Sequence, residues 1–460
     1  CDLCYCVSSF VTLSLRHNPN KTIMMKIKVL LLIGILSTST LGFSQDTLAI
    51  SKKDIWLKAS DKNLQIKIAN QDFKSAQADY RQSKAIFLPS ISASHTAIAT
   101  TNPLMAFGSK LNQEILTASD FNPALLNDPA RIKNFATKIE VLQPLINVDG
   151  LYGRQAAKAK MEAFSLQTER TKEYLELEAN KAFMELQLGY KAVTVLEKAN
   201  KTAEANLKLI ENYFKQGILQ KTDLLSVQVR VNEIKNQLQY AKSNVQNASD
   251  YLALLLNEDS SNKVYKPIEK LENTIVIETI NTTLSSNRKD IQAMDKSNEA
   301  YGKMLQSSKM NFLPRLNAFG SYELYDDSLF GTSAKGYLVG AQLSWTLFDG
   351  FKSIGKMEKS KAEFQKSEIE TQQYKAKSQL ELNKTNRQLK DAENKVNLSK
   401  LALEQSQEAY RIRSNRFTQG LEKTTDLLQS ETLMFQKELE FLQAVFEYNF
   451  TQNYLHFLTK

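Results

Sequence analysis

The chain has 460 residues, 42% of them hydrophobic and 24% charged, with a formal net charge of +9. So charged a composition excludes a helical-bundle membrane protein. Lysines are scattered among glutamates and glutamines without basic blocks, which argues against nucleic acid as a partner.

Residues 1–23 hold all three cysteines, Cys1, Cys4 and Cys6, and precede Met24 and Met25, so they read as translated upstream sequence. From Met25 come Lys26 and Lys28, an apolar run over 29–36, then Gly42 and Ser44 before Gln45. Residues 24–44 are thus expected to be a secretory signal peptide, too short to span a membrane. No cysteine lies near that cleavage point, so no lipid anchor is expected. The exported chain then starts near Gln45 and relies on packing rather than disulfides. No later stretch reaches the roughly 18 apolar residues that a transmembrane helix needs.

A helix is expected over 52–86, ended by Leu88-Pro89 because proline disfavours helix in the residue before it. Strands near 88–101 and 136–148 follow, joined by a long outer loop, 101–135, with Pro103, Pro123 and Pro129. No proline occurs between Pro144 and Pro267, and the 65 residues from Gly150 to Phe214 read as one helix about 98 Å long. Gly217 turns the chain into a returning helix, and 263–284 reads as a linker. A second helix over 285–311, strands near 314–326 and 336–348, and two more long helices meeting at Gly420 complete the chain.

The chain is written twice. Phe87-Leu88-Pro89 returns as Phe312-Leu313-Pro314, and Asp149-Gly150 as Asp349-Gly350. Phe214-Lys215-Gln216-Gly217 returns as Phe417-Thr418-Gln419-Gly420, and Thr222-Asp223-Leu224-Leu225 as Thr425-Asp426-Leu427-Leu428. Two tandem units, 45–262 and 285–460, follow from this order. Within the second, Leu382, Leu389, Val396, Leu403, Tyr410 and Phe417 fall seven apart, with small residues three positions after the first four. That is a close-packed coiled-coil seam.

The strands alternate. Ile91, Ala93, Ala97 and Ala99 interleave with serines and threonines, as do Tyr337, Val339, Ala341 and Leu343 with Gly340, Gln342 and Ser344. One apolar face and one small polar face suit a strand with lipid on one side and water on the other, and a half-buried strand of a soluble sheet shows the same alternation. Four strands cannot close a barrel; eight leave little lumen and twelve give a pore, so the chain must oligomerise. The fold expected from the residues is mainly α with a small β part: long coiled-coil helices plus four strands per chain, which as a barrel of three copies would make twelve strands and a pore.

His95 and His456 each stand alone, and His95 reads as pore-facing or as an interface residue. No metal cluster, phosphate loop or nucleophile motif appears, so no enzyme activity, cofactor or metal is expected. A periplasmic coiled-coil adaptor or scaffold without a barrel would explain the heptads but not four alternating strands.

Signal peptide, tandem units, Leu-Pro before each first strand, Gln143-Pro144-Leu145, Trp345-Thr-Leu-Phe-Asp-Gly350, and the turns 213–217 and 416–420 together resemble the TolC-type outer-membrane efflux proteins. The resemblance covers 45–460. It implies a homotrimer in outer-membrane lipid, a trimeric twelve-stranded outer-membrane β-barrel above a coiled-coil helical periplasmic tunnel that docks an adaptor and an inner-membrane pump for efflux or type I secretion. Gly217, Ile218, Leu219, Gly420 and Leu421 would form the adaptor-docking tips. Asp223 and Asp426 suit the positive end of a helix dipole, and the resemblance also places Asp426 in an acidic ring at the periplasmic aperture. A second acidic position is Gln429 here, and the latch positions correspond to Glu422 and Phe417, so a different latch is expected, with Glu422 paired to Lys221 or Lys423.

Overall fold

The computed structural model describes residues 46–260, 263–272 and 283–460. The expected upstream sequence, signal peptide and cleavage point lie outside the described residues, as does part of the expected linker. The elements run β1 (Asp46–Ile50), α1 (Lys52–Lys62), α2 (Leu64–Gln82), β2 (Ser90–Thr100), α3 (Pro103–Asn112), α4 (Pro123–Asn127), β3 (Ile132–Ile146), α5 (Val148–Lys215) and α6 (Lys221–Leu256). They continue with β4 (Lys263–Pro267), α7 (Lys289–Met310), β5 (Arg315–Asp326), β6 (Ala334–Ser344), α8 (Lys352–Thr418) and α9 (Thr424–Thr459).

The long helices α5 and α8 contain 68 and 67 residues, about 100 Å each at 1.5 Å per residue. The heptad stripe of α8 is the stripe that packs. Leu382, Thr385, Ala392, Val396, Ser406 and Phe417 are buried, most of them against α9. Small residues at alternate seam positions let the backbones approach.

Several expected boundaries move, each for a local reason. The helix expected over 52–86 is two helices and a 3-10 turn, broken at Asn63. Asn63 takes an extended backbone, its Oδ1 accepts from the Gln65 and Ile66 amides, and its Nδ2 donates to the Leu255 carbonyl at 2.8 Å. The outer loop contains α3 and α4, each entered by Asn-Pro with the asparagine side chain capping. β3 starts at Ile132, and β6 ends at Ser344, before Trp345. Within the expected linker, β4 pairs in parallel with β1.

Arg288 does for the second half what Asn63 does for the first. It precedes α7 as N-cap, and its Nη1 reaches the Leu458 carbonyl at 3.4 Å. So α6 ends against the start of α2, and α9 against the start of α7. With α5 and α8 this makes four columns, in the order α6–α2, α5, α9–α7, α8, since α5 packs on both α6 and α9 and α8 packs on both α9 and α7. The sheet order β2-β3-β5-β6 follows the same sequence, each strand continuing one column. Charged pairs flank both splices: at the first, Lys58 and Lys62 lie 3.3 and 3.6 Å from Glu258. At the second, Arg288 pairs with Asp290 at 2.6 Å, Tyr374 donates to Asp290, and Arg170 lies over the Phe457 ring at 3.6 Å. Burial pushes the Asp290 carboxyl up, but the hydrogen bonds from Arg288 and Tyr374 and the Arg170 charge outweigh it and hold it below the usual carboxylate range.

Candidate functional site: the bare sheet and the helix tips

The sheet is antiparallel throughout, so residues directly opposite share a face. One face carries Ile91, Ala93 and Ala97 of β2, Phe135, Ile139 and Val141 of β3, Leu316, Tyr322 and Leu324 of β5, and Tyr337, Val339 and Leu343 of β6. The other carries Ser92, Ser94 and Thr96, then Lys138, Glu140, Ser321, Glu323 and Gln342. Lys138 sits 3.4 Å from Glu140 and 3.6 Å from Glu323 on that polar face.

The apolar face is uncovered: Tyr337 is 80% and Val339 71% exposed. A soluble half-buried sheet would hide this face against helices; among the described residues no helix covers it. From Leu316 to Asp326 the strand rises about 33 Å, or about 25 Å once tilted as barrel strands are. That matches the apolar band of outer-membrane barrels. At its inner end Phe87, Phe312, Trp345, Phe348 and Phe351 are exposed, with the Trp345 indole donating to the Phe312 carbonyl at 3.0 Å. Such an aromatic girdle suits a membrane interface.

His95 lies apart from the polar face of the sheet. The register places it on the apolar face, where its Nδ1 lies 2.8 Å from the Thr137 hydroxyl and the Phe330 ring stacks on it at 4.6 Å.

At the opposite end, each long helix closes with a Schellman motif. Gly217 and Gly420 take φ of +75° and +74°. Ile218 N–H reaches the Tyr213 carbonyl and Leu421 N–H that of Arg416, both at 2.9 Å. Ile218 and Leu421 are each 63% exposed, while Leu219 leans on the cluster of Ile210, Val227, Phe417 and Leu427.

The residues expected at an aperture divide. Asp223 accepts from the Gln220 amide at 3.1 Å and is a helix cap. Asp426 makes no such cap; its nearest cation is Arg413, at 3.9 Å. Gln429 is exposed on the same helix. Phe417 is buried against Tyr213, so it is core and not lining. Glu422 pairs with neither Lys221 nor Lys423. It bonds Arg413 at 3.3 Å and Arg416 at 3.0 Å, because the glycine reversal folds it back on the last turn of its own helix, while both lysines point to solvent.

Glu431 was not singled out by its sequence position. It is fully buried between α5, α6, α8 and α9, and Asn206 Nδ2 donates to its carboxylate. Burial pushes its carboxyl up, against the Asn206 hydrogen bond and the Arg230 charge. Its signal is a carboxylate in the core spacing Leu427, Glu431, Met434. Among the described residues, no group of three or more His, Cys, Asp or Glu could hold a metal ion, and no described helix is long and apolar enough to cross a membrane.

A bare amphipathic sheet above four parallel columns defines the wall of a membrane channel. The sequence profile of the family described as "Outer membrane efflux protein" matches residues 57–258 and 281–459. The chain belongs to the outer membrane efflux protein family, and its fold is that of the TolC-type outer-membrane channels. No curated protein matches it by sequence. Its fold is similar to that of a membrane protein from Pseudomonas aeruginosa, with 16% identity and a TM-score of 0.78, over 92% of this chain and 95% of that one. It is similar also to the Campylobacter jejuni outer membrane channel CmeC (15% identity, TM-score 0.77, covering 89% and 85%). The Vibrio cholerae outer membrane protein VceC is a third such fold (15%, 0.74, 89% and 96%).

Proposed function

We propose that three copies of this chain close into one duct, with twelve strands in the outer membrane and the helical columns in the periplasm. The observation that carries this is the open wall. Among the described residues, strands β2 and β6 each have one unpaired edge, which is a template for pairing with another chain. The outermost columns repeat the pattern. Leu225, Val229, Tyr240 and Leu254 are exposed on α6, and Ile369, Leu380, Leu398 and Leu401 on α8. Two different edges that complement each other make a head-to-tail contact, and such contacts generate a ring where the rotation between copies closes. Three copies give the smallest ring with an open lumen.

The duct serves as the exit of an efflux or type I secretion assembly, receiving substrate from an inner-membrane pump through a periplasmic adaptor. Ile218 and Leu421, beside Gly217 and Gly420, offer that adaptor exposed apolar side chains, with the partly buried Leu219 behind them. Asp426, repeated three times, forms a weak cation-attracting ring at the aperture, moderated by Arg413 and unsupported by Gln429. Phe417 has no place in that ring. A scaffold without a barrel leaves the apolar face of the sheet without a purpose.

The test is to replace the exposed Ile218 and Leu421 with aspartate and to measure export together with the amount of protein in the outer membrane. Export should fall while the level holds. Unchanged export at unchanged level would remove the tips from the docking reading.

A further inference from the structure

The connection between β2 and β3 does not stand away from the sheet. Helix α3 is capped by Asn102, whose Oδ1 accepts from the Met105 amide at 3.2 Å. Its underside, Ala106 and Ser109, is buried. Just past its end the buried Gln113 Nε2 donates to the Lys133 carbonyl and to Asn134 Oδ1, both at 2.8 Å. By register Asn134 lies on the polar face of the sheet, two residues along from Ala136 and four from Lys138. The helix also touches β6, whose first residue, Ala334, is buried on that same face. So α3 lies across the polar face at the end remote from the long helices. Lys110 pairs with Asp120 at 2.7 Å, and Phe107 meets Phe121 edge-on at 5.7 Å, which fixes the helix to the rest of the loop.

The upper side of α3 is inverted with respect to an ordinary surface helix, which turns polar residues outward. Leu104, Gly108 and Leu111 follow at i, i+4 and i+7; Leu104 is 81% and Leu111 55% exposed. No heavy atom lies within 4 Å of where a Cβ would stand at Gly108. An apolar stripe with a glycine at its centre lets another helix approach closely.

We propose that three copies of α3 meet on the threefold axis and close the outer mouth of the duct as an apolar gate. The occupant of each stripe is the same stripe of the other two copies. This rests on the trimeric barrel proposed above, in which the polar face lines the lumen. Twelve strands about 4.8 Å apart, tilted by about 40°, give a circumference of about 75 Å and a backbone radius of about 12 Å. A helix with its side chains is about 10 Å across. Three helices lying on the inner wall therefore reach the axis, and an apolar constriction there excludes water. Nothing about the far, periplasmic aperture enters the argument.

The experiment uses Ser92→Cys, on the polar face below the helix, in intact cells. No cysteine follows Cys6, so the new thiol is the only one after residue 6. A membrane-impermeant maleimide dye is added outside, in the wild-type loop, with residues 103–128 replaced by a short Gly-Ser linker, and with Leu104→Asp and Leu111→Asp together. Labelling should rise about tenfold or more in both altered loops, because a closed apolar gate leaves no path for the dye. Separately, the Leu104→Cys variant should oxidise to disulfide-linked pairs within one trimer. An unheated gel reports the trimer in every sample. Trimers that label equally fast with all three loops, or a Leu104→Cys trimer that never forms the disulfide, overturn the gate and leave the barrel standing. Loss of the trimer band in the otherwise unaltered protein overturns the barrel itself.

Discussion

Replacing Gly420 by alanine isolates one backbone angle. Gly420 takes φ of +74°, and no heavy atom lies within 4 Å of a Cβ built there. Space is not the obstacle, so the cost is that of holding an L-residue left-handed, about 1–2 kcal/mol. Gly355 is the matched control: it lies exposed inside α8, also has room for a Cβ, and has no positive φ. Alanine there relieves a helix-interior glycine and stabilises by about 1 kcal/mol. The two substitutions are chemically identical and should separate by about 2–3 kcal/mol, in opposite directions from wild type. Gly420→Asn should fall between them, since asparagine tolerates the left-handed region. Denaturant midpoints of the detergent-solubilised protein, read by circular dichroism, measure all three. A Gly420→Ala protein as stable as wild type would refute the left-handed closure of the tip, and with it the geometry that exposes Leu421.

Leu382→Ala, at a fully buried seam position against Leu455 and Leu458, should cost about 2–5 kcal/mol in the same assay. Glu431→Gln should flatten the pH dependence of stability. The wild-type carboxyl is raised in the folded chain, so its stability is full below the ordinary glutamate value of 4.5 and declines as pH rises through the raised value. The glutamine variant should lose that decline, and an unaltered profile would show that Glu431 titrates normally. Asp426→Asn should reduce cation selectivity in planar bilayers, whereas Asp223→Asn should lower stability and leave selectivity alone. Equal effects on selectivity would remove the distinction between cap and ring.

Period and punctuation carried most of this fold. The seven-residue spacing of Leu382 through Phe417 marks the packed seam, and the alternation in β2 and β6 marks the two faces of the sheet. Both are local patterns that neighbours merely confirm. The break at Asn63 was not legible: Lys62 and Leu64 continue a helical stretch, and the break is held by a bond to Leu255, 192 residues away. Helix α3 did carry its signal, Asn102 before Pro103, hidden within a loop rich in proline. At the tips, the glycine turns were readable from composition. The Glu422 pairing was not, because it depends on how tightly the reversal folds back onto Arg413 and Arg416. Glu431 could have been found as a charge in a core spacing, and Phe417 could have been excluded from the aperture because it belongs to the buried heptad.

The central claim is that three chains complete a wall that one chain leaves open. Native mass spectrometry of the protein extracted in mild detergent from the outer-membrane fraction counts the chains directly. The account predicts a single complex of three copies, and a monomer or a dimer as the dominant species would contradict it.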